Sequence, residues 1–215
     1  MKRALILVSA ACLVLTGAVS ASVQLGDTEV SLSGNWSSIN GAGDASDIDL
    51  FSISAGLGYF LTDNIQIEGV GAGMWIDSDL EVAGDPFTEN EDFNAQSRTT
   101  LGDLTLWAIG GKVKCHFMPA NQWVPYAGLL LLWGDLEGDG KVTLIDPEDP
   151  ASQAVSKFDY DGDGLIWGPL VGLRYELNAS NDFCIEYQYK MFENDLGDLF
   201  DDAHQIWLGI VHQFK

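Results

Sequence analysis

The chain contains eight segments of strand length, and in most of them apolar and polar residues alternate with a period of two. This pattern restricts the possible folds more than any other feature. In the last segment, Ile206, Leu208 and Ile210 fall on one face, while Gln205 and Gln213 fall on the other. This is the period of a strand whose two faces meet different surroundings. The segments are 30–38, 51–61, 65–76, 105–117, 123–133, 167–177, 183–191 and 206–214. The sequence therefore predicts an all-β chain of eight strands.

Two of these segments are less regular than the others. In 65–76 the apolar face moves from odd positions, with Ile65 and Ile67, to even positions, with Val70 and Met74. Such a change predicts a β-bulge near Gly69. Segment 123–133 is apolar on both faces, so the alternation does not reveal which of its side chains share a face.

The connections between the predicted strands alternate between short and long. Short connections at 62–64, 118–122 and 178–181 follow the second, fourth and sixth strands. The long connections, which hold 25 of the 32 acidic residues, are 39–50, 77–103, 134–164 and 192–203. An even number of strands joined alternately by short turns and long loops is typical of barrels that span the bacterial outer membrane.

The composition agrees with apolar and acidic residues that are segregated from one another. The formal net charge is −22, yet 47% of residues are hydrophobic and the mean hydropathy is +0.07. So large an apolar fraction excludes general disorder. A nucleic-acid partner is also excluded, because 10 Lys and Arg residues cannot form the basic surface that a phosphate backbone requires.

The N-terminus has the pattern of an export signal. Lys2 and Arg3 precede an uncharged, mostly apolar stretch at 4–19, and Val19, Ser20 and Ala21 supply the small residues of a cleavage site. We expect residues 1–21 to be a signal peptide that is cleaved after Ala21, leaving a barrel domain at 22–215. No later apolar run is long enough for a membrane-spanning helix. A membrane-embedded mature chain would therefore be a β-barrel.

These patterns predict an eight-stranded antiparallel up-and-down transmembrane β-barrel with short periplasmic turns and long acidic external loops. Its apolar faces would contact lipid, with aromatic girdle residues at Trp107, Tyr126, Trp133, Trp167 and Tyr187. The alternative is an exported, soluble, lipocalin-like barrel that buries the same faces and binds an apolar ligand. The polar faces favour the membrane barrel, because they are dominated by the Gly and Ser of a crowded lumen.

Several short motifs resemble the small eight-stranded outer-membrane β-barrel family, which is similar to the transmembrane domain of outer-membrane protein A. They are Gly58-Tyr-Phe-Leu-Thr-Asp-Asn-Ile65, Val124-Pro-Tyr-Ala-Gly128, Glu186-Tyr-Gln-Tyr189 and the aromatic terminal strand. The resemblance implies export through the periplasm to the bacterial cell outer membrane, in contact with lipid and lipopolysaccharide, as a monomer. It also implies that Phe214 belongs to the signal read by the outer-membrane assembly machinery, although Lys215 follows it and His212 replaces an aromatic residue.

The polar faces carry charges of both signs, and these predict an ion-pair network inside the barrel. Buried charges require partners, and eight strands enclose a lumen that side chains can fill. The network would plug the lumen; the alternative is a narrow ion-conducting channel. Its predicted members are Glu68, Lys112, Lys114, Arg174, Glu176, Glu186 and Lys190.

An acidic motif in the third long connection resembles the start of a calcium loop. Asp159, Asp161 and Asp163 alternate, and Gly164 stands where such a loop turns tightly. Leu170 occupies the position of the usual bidentate Glu, although Asp135, Glu137 and Asp139 could complete the shell. The alternative is a solvated acidic turn that screens divalent cations loosely. No other cofactor is expected.

The sequence predicts no catalytic residues. Asp201, Asp202 and His204 resemble an outer-membrane protease site in composition only, and no His has the spacing of a lipid A deacylase. The alternation predicts that Cys115 points outward and Cys184 inward, so both should be free thiols. We therefore expect a non-enzymatic surface or structural protein whose external partner the sequence does not identify.

Overall fold

The computed structural model describes residues 25–39, 48–77, 80–83, 96–145, 153–200 and 202–214. The predicted signal peptide and its cleavage site lie outside these residues, and that prediction is untested. Nowhere in the described part of the chain is there a helix long and apolar enough to cross a membrane.

The described chain forms one sheet and one short helix. The elements are β1 (Thr28–Ile39), β2 (Ile48–Phe60), β3 (Ile65–Asp77), β4 (Leu80–Ala83), β5 (Gln96–His116), β6 (Trp123–Ile145), β7 (Gln153–Asn178), β8 (Asn181–Phe192), α1 (Asp195–Leu199) and β9 (Asp202–Phe214). The strand pairs are antiparallel and join neighbours in the chain, while β1 pairs with β9 and β3 with β5. Eight strands thus close into a barrel, and β4 pairs with β5 outside the ring. This confirms the predicted fold.

The two faces of the barrel wall match the predicted faces of the last strands. On β9, Gln205, Trp207 and Gln213 are buried, whereas Ile206 is 60% and Leu208 49% exposed. The same division holds along β5, β7 and β8. On β6, which the sequence left undecided, even positions such as Leu130 point inward and odd positions such as Leu131 point outward.

Aromatic residues on the outward face form two rings around the barrel. One ring includes Trp36, Phe51, Trp75, Trp107, Trp133, Trp167 and Tyr187, and the other includes Tyr59, Phe117, Trp123 and Phe214. On β5 the rings are separated by the tilted strand from Trp107 to Phe117, a height of about 25 Å. This matches the apolar band of an outer-membrane barrel. Tyr126 was wrongly predicted to belong to a girdle, because its even position turns it into the lumen, where it is 5% exposed.

The bulge predicted near Gly69 is wrong. β3 pairs with β2 and with β5 without any shift in register. Val70 and Met74 point inward like Gln66 and Glu68, and the outward positions opposite to them hold glycine. The apolar residues change face because the lumen itself becomes apolar toward its external end.

Strands extend into two of the predicted long loops. β5 begins at Gln96, within the predicted loop 77–103, and β6 and β7 together take up most of 134–164. β6 continues for about 40 Å along its axis beyond Trp133. The barrel therefore carries an external sheet made of β4 and the outer parts of β5, β6 and β7, which we call the extension.

Candidate functional site

The lumen holds an ion-pair cluster in its periplasmic half. The Lys112 ammonium donates a hydrogen bond to Glu186 over 2.7 Å, and the Lys114 ammonium lies 2.6 Å from Glu68 and 3.5 Å from Glu186. Tyr126 donates its hydroxyl proton to Glu186 over 3.0 Å. Four of the predicted network residues therefore meet across strands β3, β5 and β8.

Arg174 forms a second branch with two carboxylates that the sequence analysis missed. Its guanidinium donates to Glu29 over 2.8 Å and to Asp182. Gln66 also donates to Glu29, and Gln213 donates to Asp182 over 3.0 Å. Both acids lie just outside the predicted segments. Extending the period of two by one residue would have placed Glu29 with Ser31, and Asp182 with Glu186, on the inward face.

Lys190 and Glu176 are the last two residues of the predicted network. Lys190 is 2% exposed, with its ammonium 4.9 Å from the centroid of the Trp207 ring. No carboxylate of the described residues lies within 4.0 Å of it. Glu176 is half-buried near the periplasmic end of β7, opposite Asp182 in the register.

The cluster leaves little space between its side chains. A cavity of about 20 Å³ lies among Glu29, Glu68, Lys114, His116 and Arg174. That volume holds about one water molecule. His116 closes one side of it, with Nε2 donating to Gln66 over 2.9 Å and the ring against Phe60 and Tyr126.

The external half of the lumen is apolar. Its buried residues come from five barrel strands and from α1, namely Leu50, Val70, Met74, Leu104, Leu106, Leu130, Leu132, Leu136, Ile166, Leu170 and Leu196. Leu196 of α1 is fully buried against the wall. A Cβ added to Gly134 would lie 2.9–3.2 Å from Leu106, Ile166 and Leu196. The glycine thus makes room for the helix to pack into the barrel mouth.

The three aspartates of the calcium-like motif lie on a strand. Asp159, Asp161 and Asp163 are exposed residues of β7, opposite Asp139, Glu137 and Asp135 of β6. We call these six residues the acidic ladder. Gly162 and Gly164 do not adopt positive φ, so the predicted tight turn is wrong. Among described residues, no group of three His, Cys, Asp or Glu could hold a metal ion. Calcium binding itself is not tested.

The family comparison agrees with the outward apolar band and the two aromatic rings. Residues 9–214 match the family described as the outer membrane protein beta-barrel domain. The chain belongs to this family. Its place is therefore the bacterial outer membrane, which confirms the predicted localisation and excludes the soluble barrel.

This family member is similar in structure to solved outer-membrane barrels. It is similar to neisserial surface protein A, with 13% identity, a TM-score of 0.51, and coverage of 88% of this chain and 97% of the other. OprG of Pseudomonas aeruginosa has 15% identity and a TM-score of 0.48, and the match covers 91% of this chain and 99% of OprG. Ail of Yersinia pestis has 14% identity and a TM-score of 0.46, and the match covers 89% of this chain and 100% of Ail. No curated protein matches the chain in sequence.

The remaining candidates of this outer-membrane barrel, apart from Cys184, lie on its outer surface or at its ends. Asp202 and His204 are 4.0 Å apart and exposed, hydrogen-bonded to Tyr189 and Tyr187, and Asp201 lies outside the described residues. Phe214 ends β9 and is 51% exposed. Cys115 is exposed on the outward face, and Cys184 lines the small lumen cavity.

Proposed function

We propose that this outer-membrane barrel is a non-enzymatic structural protein of the cell surface with a plugged lumen. The observation that carries the proposal is the stacking of two layers inside the wall, ion pairs below and an apolar layer above. It enters the membrane through the assembly machinery as a monomer, after removal of residues 1–21.

The two layers oppose ion passage for different reasons. Among the described residues, the lumen buries four carboxylates and four cations, namely Glu29, Glu68, Asp182 and Glu186 with Lys112, Lys114, Arg174 and Lys190. Breaking the ion pairs of Lys112, Lys114 and Arg174 would leave uncompensated buried charge. Above them, an apolar constriction excludes hydrated ions.

A non-enzymatic role fits the position of the candidate acid and histidine. Asp202 and His204 are on the outer wall, and their hydrogen bonds to Tyr189 and Tyr187 tie them to the girdle.

Planar-bilayer recording tests the proposal directly. Folded wild-type barrel, checked by heat-modifiable gel mobility, should give no steady conductance. As a matched control, Leu106→Ala/Leu132→Ala/Leu136→Ala combined with Lys112→Ala/Glu186→Ala should give small, brief openings, because it thins both layers. Any steady conductance from homogeneous wild type would overturn the plugged lumen. If that conductance is small, the barrel is the narrow ion-conducting channel instead.

A further inference from the structure

The external half of β7 has a neighbour on one side only. β7 pairs with β6 from Gln153 to Tyr175, but its pairing with β8 begins at Ile166. Within the described part of the chain, residues 153–163 therefore have no strand on the β8 side. We call this stretch the β7 edge. An unpaired edge offers its backbone groups to another strand.

The direction of these backbone groups follows from one hydrogen bond. The Glu193 amide donates to the carbonyl of Leu165 over 2.9 Å, so the backbone of Leu165 faces the β8 side. The β6–β7 register has no shift along this stretch. In an antiparallel strand the N–H and C=O of one residue point to the same side, and successive residues alternate. The backbone groups of Lys157, Asp159, Asp161 and Asp163 consequently face outward from the edge.

The charge along the β7 edge selects what can pair with it. Asp159, Asp161 and Asp163 are exposed on one face, and their partners on β6 are also acidic. A strand added at the edge would bring its side chains about 5 Å from these carboxylates. Opposite charges there stabilise the pair, and like charges directly across destabilise it.

We propose that the β7 edge is a docking site for an extended, basic segment of an external protein, which adds a strand to the extension. Backbone hydrogen bonds would supply affinity, and the acidic ladder would select Lys and Arg. A second copy of this chain is disfavoured, because its own β7 edge would set aspartates beside aspartates. This inference goes beyond the proposed structural role and does not require a closed lumen.

Peptide binding to the barrel in zwitterionic nanodiscs tests the proposal. The probe is a capped eleven-residue peptide of alternating Lys and Val, followed by fluorescence anisotropy. A second peptide of the same charge carries N-methyl groups on alternate residues, which removes its edge-facing donors. We expect the methylated peptide to bind at least about tenfold more weakly, since several hydrogen bonds are lost. The Glu/Val counterpart should not bind.

A pair of variants separates edge pairing from simple charge attraction. Lys157→Pro removes an N–H that faces the edge, a position where strands tolerate proline, and it also removes a positive charge. Lys157→Thr removes the charge but keeps the N–H. Edge pairing predicts about tenfold weaker binding to Lys157→Pro than to Lys157→Thr. The triple variant Asp159→Asn/Asp161→Asn/Asp163→Asn should also bind more weakly at low salt.

Two outcomes would overturn the proposal, provided that gel mobility shows every variant to be folded. Equal affinity for the methylated and unmethylated basic peptides would mean that the backbone edge is not used. Equal affinity of Lys157→Pro and Lys157→Thr would reduce the interaction to charge attraction alone.

Discussion

Glycine residues stand on both faces of the barrel wall for different reasons. A Cβ added to Gly172 would run into the ring of Tyr126, whose Cε2 lies 2.7 Å away, whereas a Cβ added to Gly71 would meet nothing within 4 Å. We predict that Gly172→Val lowers the free energy of unfolding by about 1–3 kcal/mol through overpacking. Gly71→Val, which faces lipid, should be near neutral. Urea unfolding in lipid vesicles, followed by tryptophan fluorescence, measures both; equal losses would contradict the assigned faces.

Arg174 is the residue whose removal should be most costly. It neutralises Glu29 and Asp182, and all three side chains are buried. Arg174→Met would leave two carboxylates without a cation, at a cost of about 3–5 kcal/mol. Adding Glu29→Gln and Asp182→Asn to that variant should restore most of the loss. The same unfolding experiment checks this, and a triple variant no more stable than Arg174→Met would argue against charge as the cause.

Lys190 offers the matched contrast within the same lumen. It is as buried as Arg174, but among the described residues its ammonium faces the Trp207 ring and has no carboxylate within 4.0 Å. Burying a charge without an ion pair costs free energy. We predict that Lys190→Met changes the free energy of unfolding by less than about 1 kcal/mol or raises it. A loss as large as that of Arg174→Met would show that Lys190 pairs with a group outside the described residues.

At the scale of the strands, outward residues between the two aromatic rings contact lipid, whereas outward residues of the extension contact water. Ile185 of β8 is 42% exposed between the two girdles, and Val155 of β7 is 58% exposed in the extension. Ile185→Arg should cost about 2–4 kcal/mol, because the charge enters the hydrocarbon. Val155→Arg should cost almost nothing, since that residue meets water. Folding yield into lipid vesicles and urea midpoints compare the two; a harmless Ile185→Arg would refute the membrane placement.

The sequence could predict strands wherever their two faces differed consistently. The two faces of β8 and β9 differ over most of their length, so their inward residues were correctly assigned. β3 was misread because glycines occupy its outward face while the lumen becomes apolar, which reverses the usual contrast. The extension was misread as loop because Asp and Gly, which disfavour strands in isolation, pair there across β6 and β7. Glu29 and Asp182 were missed because each lies one residue before a segment in which the alternation was recognised.

For the whole molecule, which carries a net charge of −22, the charges of the lumen and those of the acidic ladder behave differently. The described lumen holds equal numbers of buried acids and bases, so its electrostatics are local and shielded from salt. The acidic ladder faces solvent, with carboxylates directly opposite one another, and such pairs repel. Salt should therefore act on the extension and not on the barrel.

Hydrogen–deuterium exchange at low and high salt can separate these two parts. Raising sodium chloride from 10 mM to 1 M shortens the screening length from about 30 Å to about 3 Å. Exchange in 135–145 and 153–163 should slow, while β8 and β9 stay unchanged. Calcium and magnesium should slow it equally, because the ladder lacks the turn that would gather oxygens around calcium. A saturable effect of calcium alone, abolished by Asp161→Asn/Asp163→Asn, would instead show that a formed site assembles on the extension.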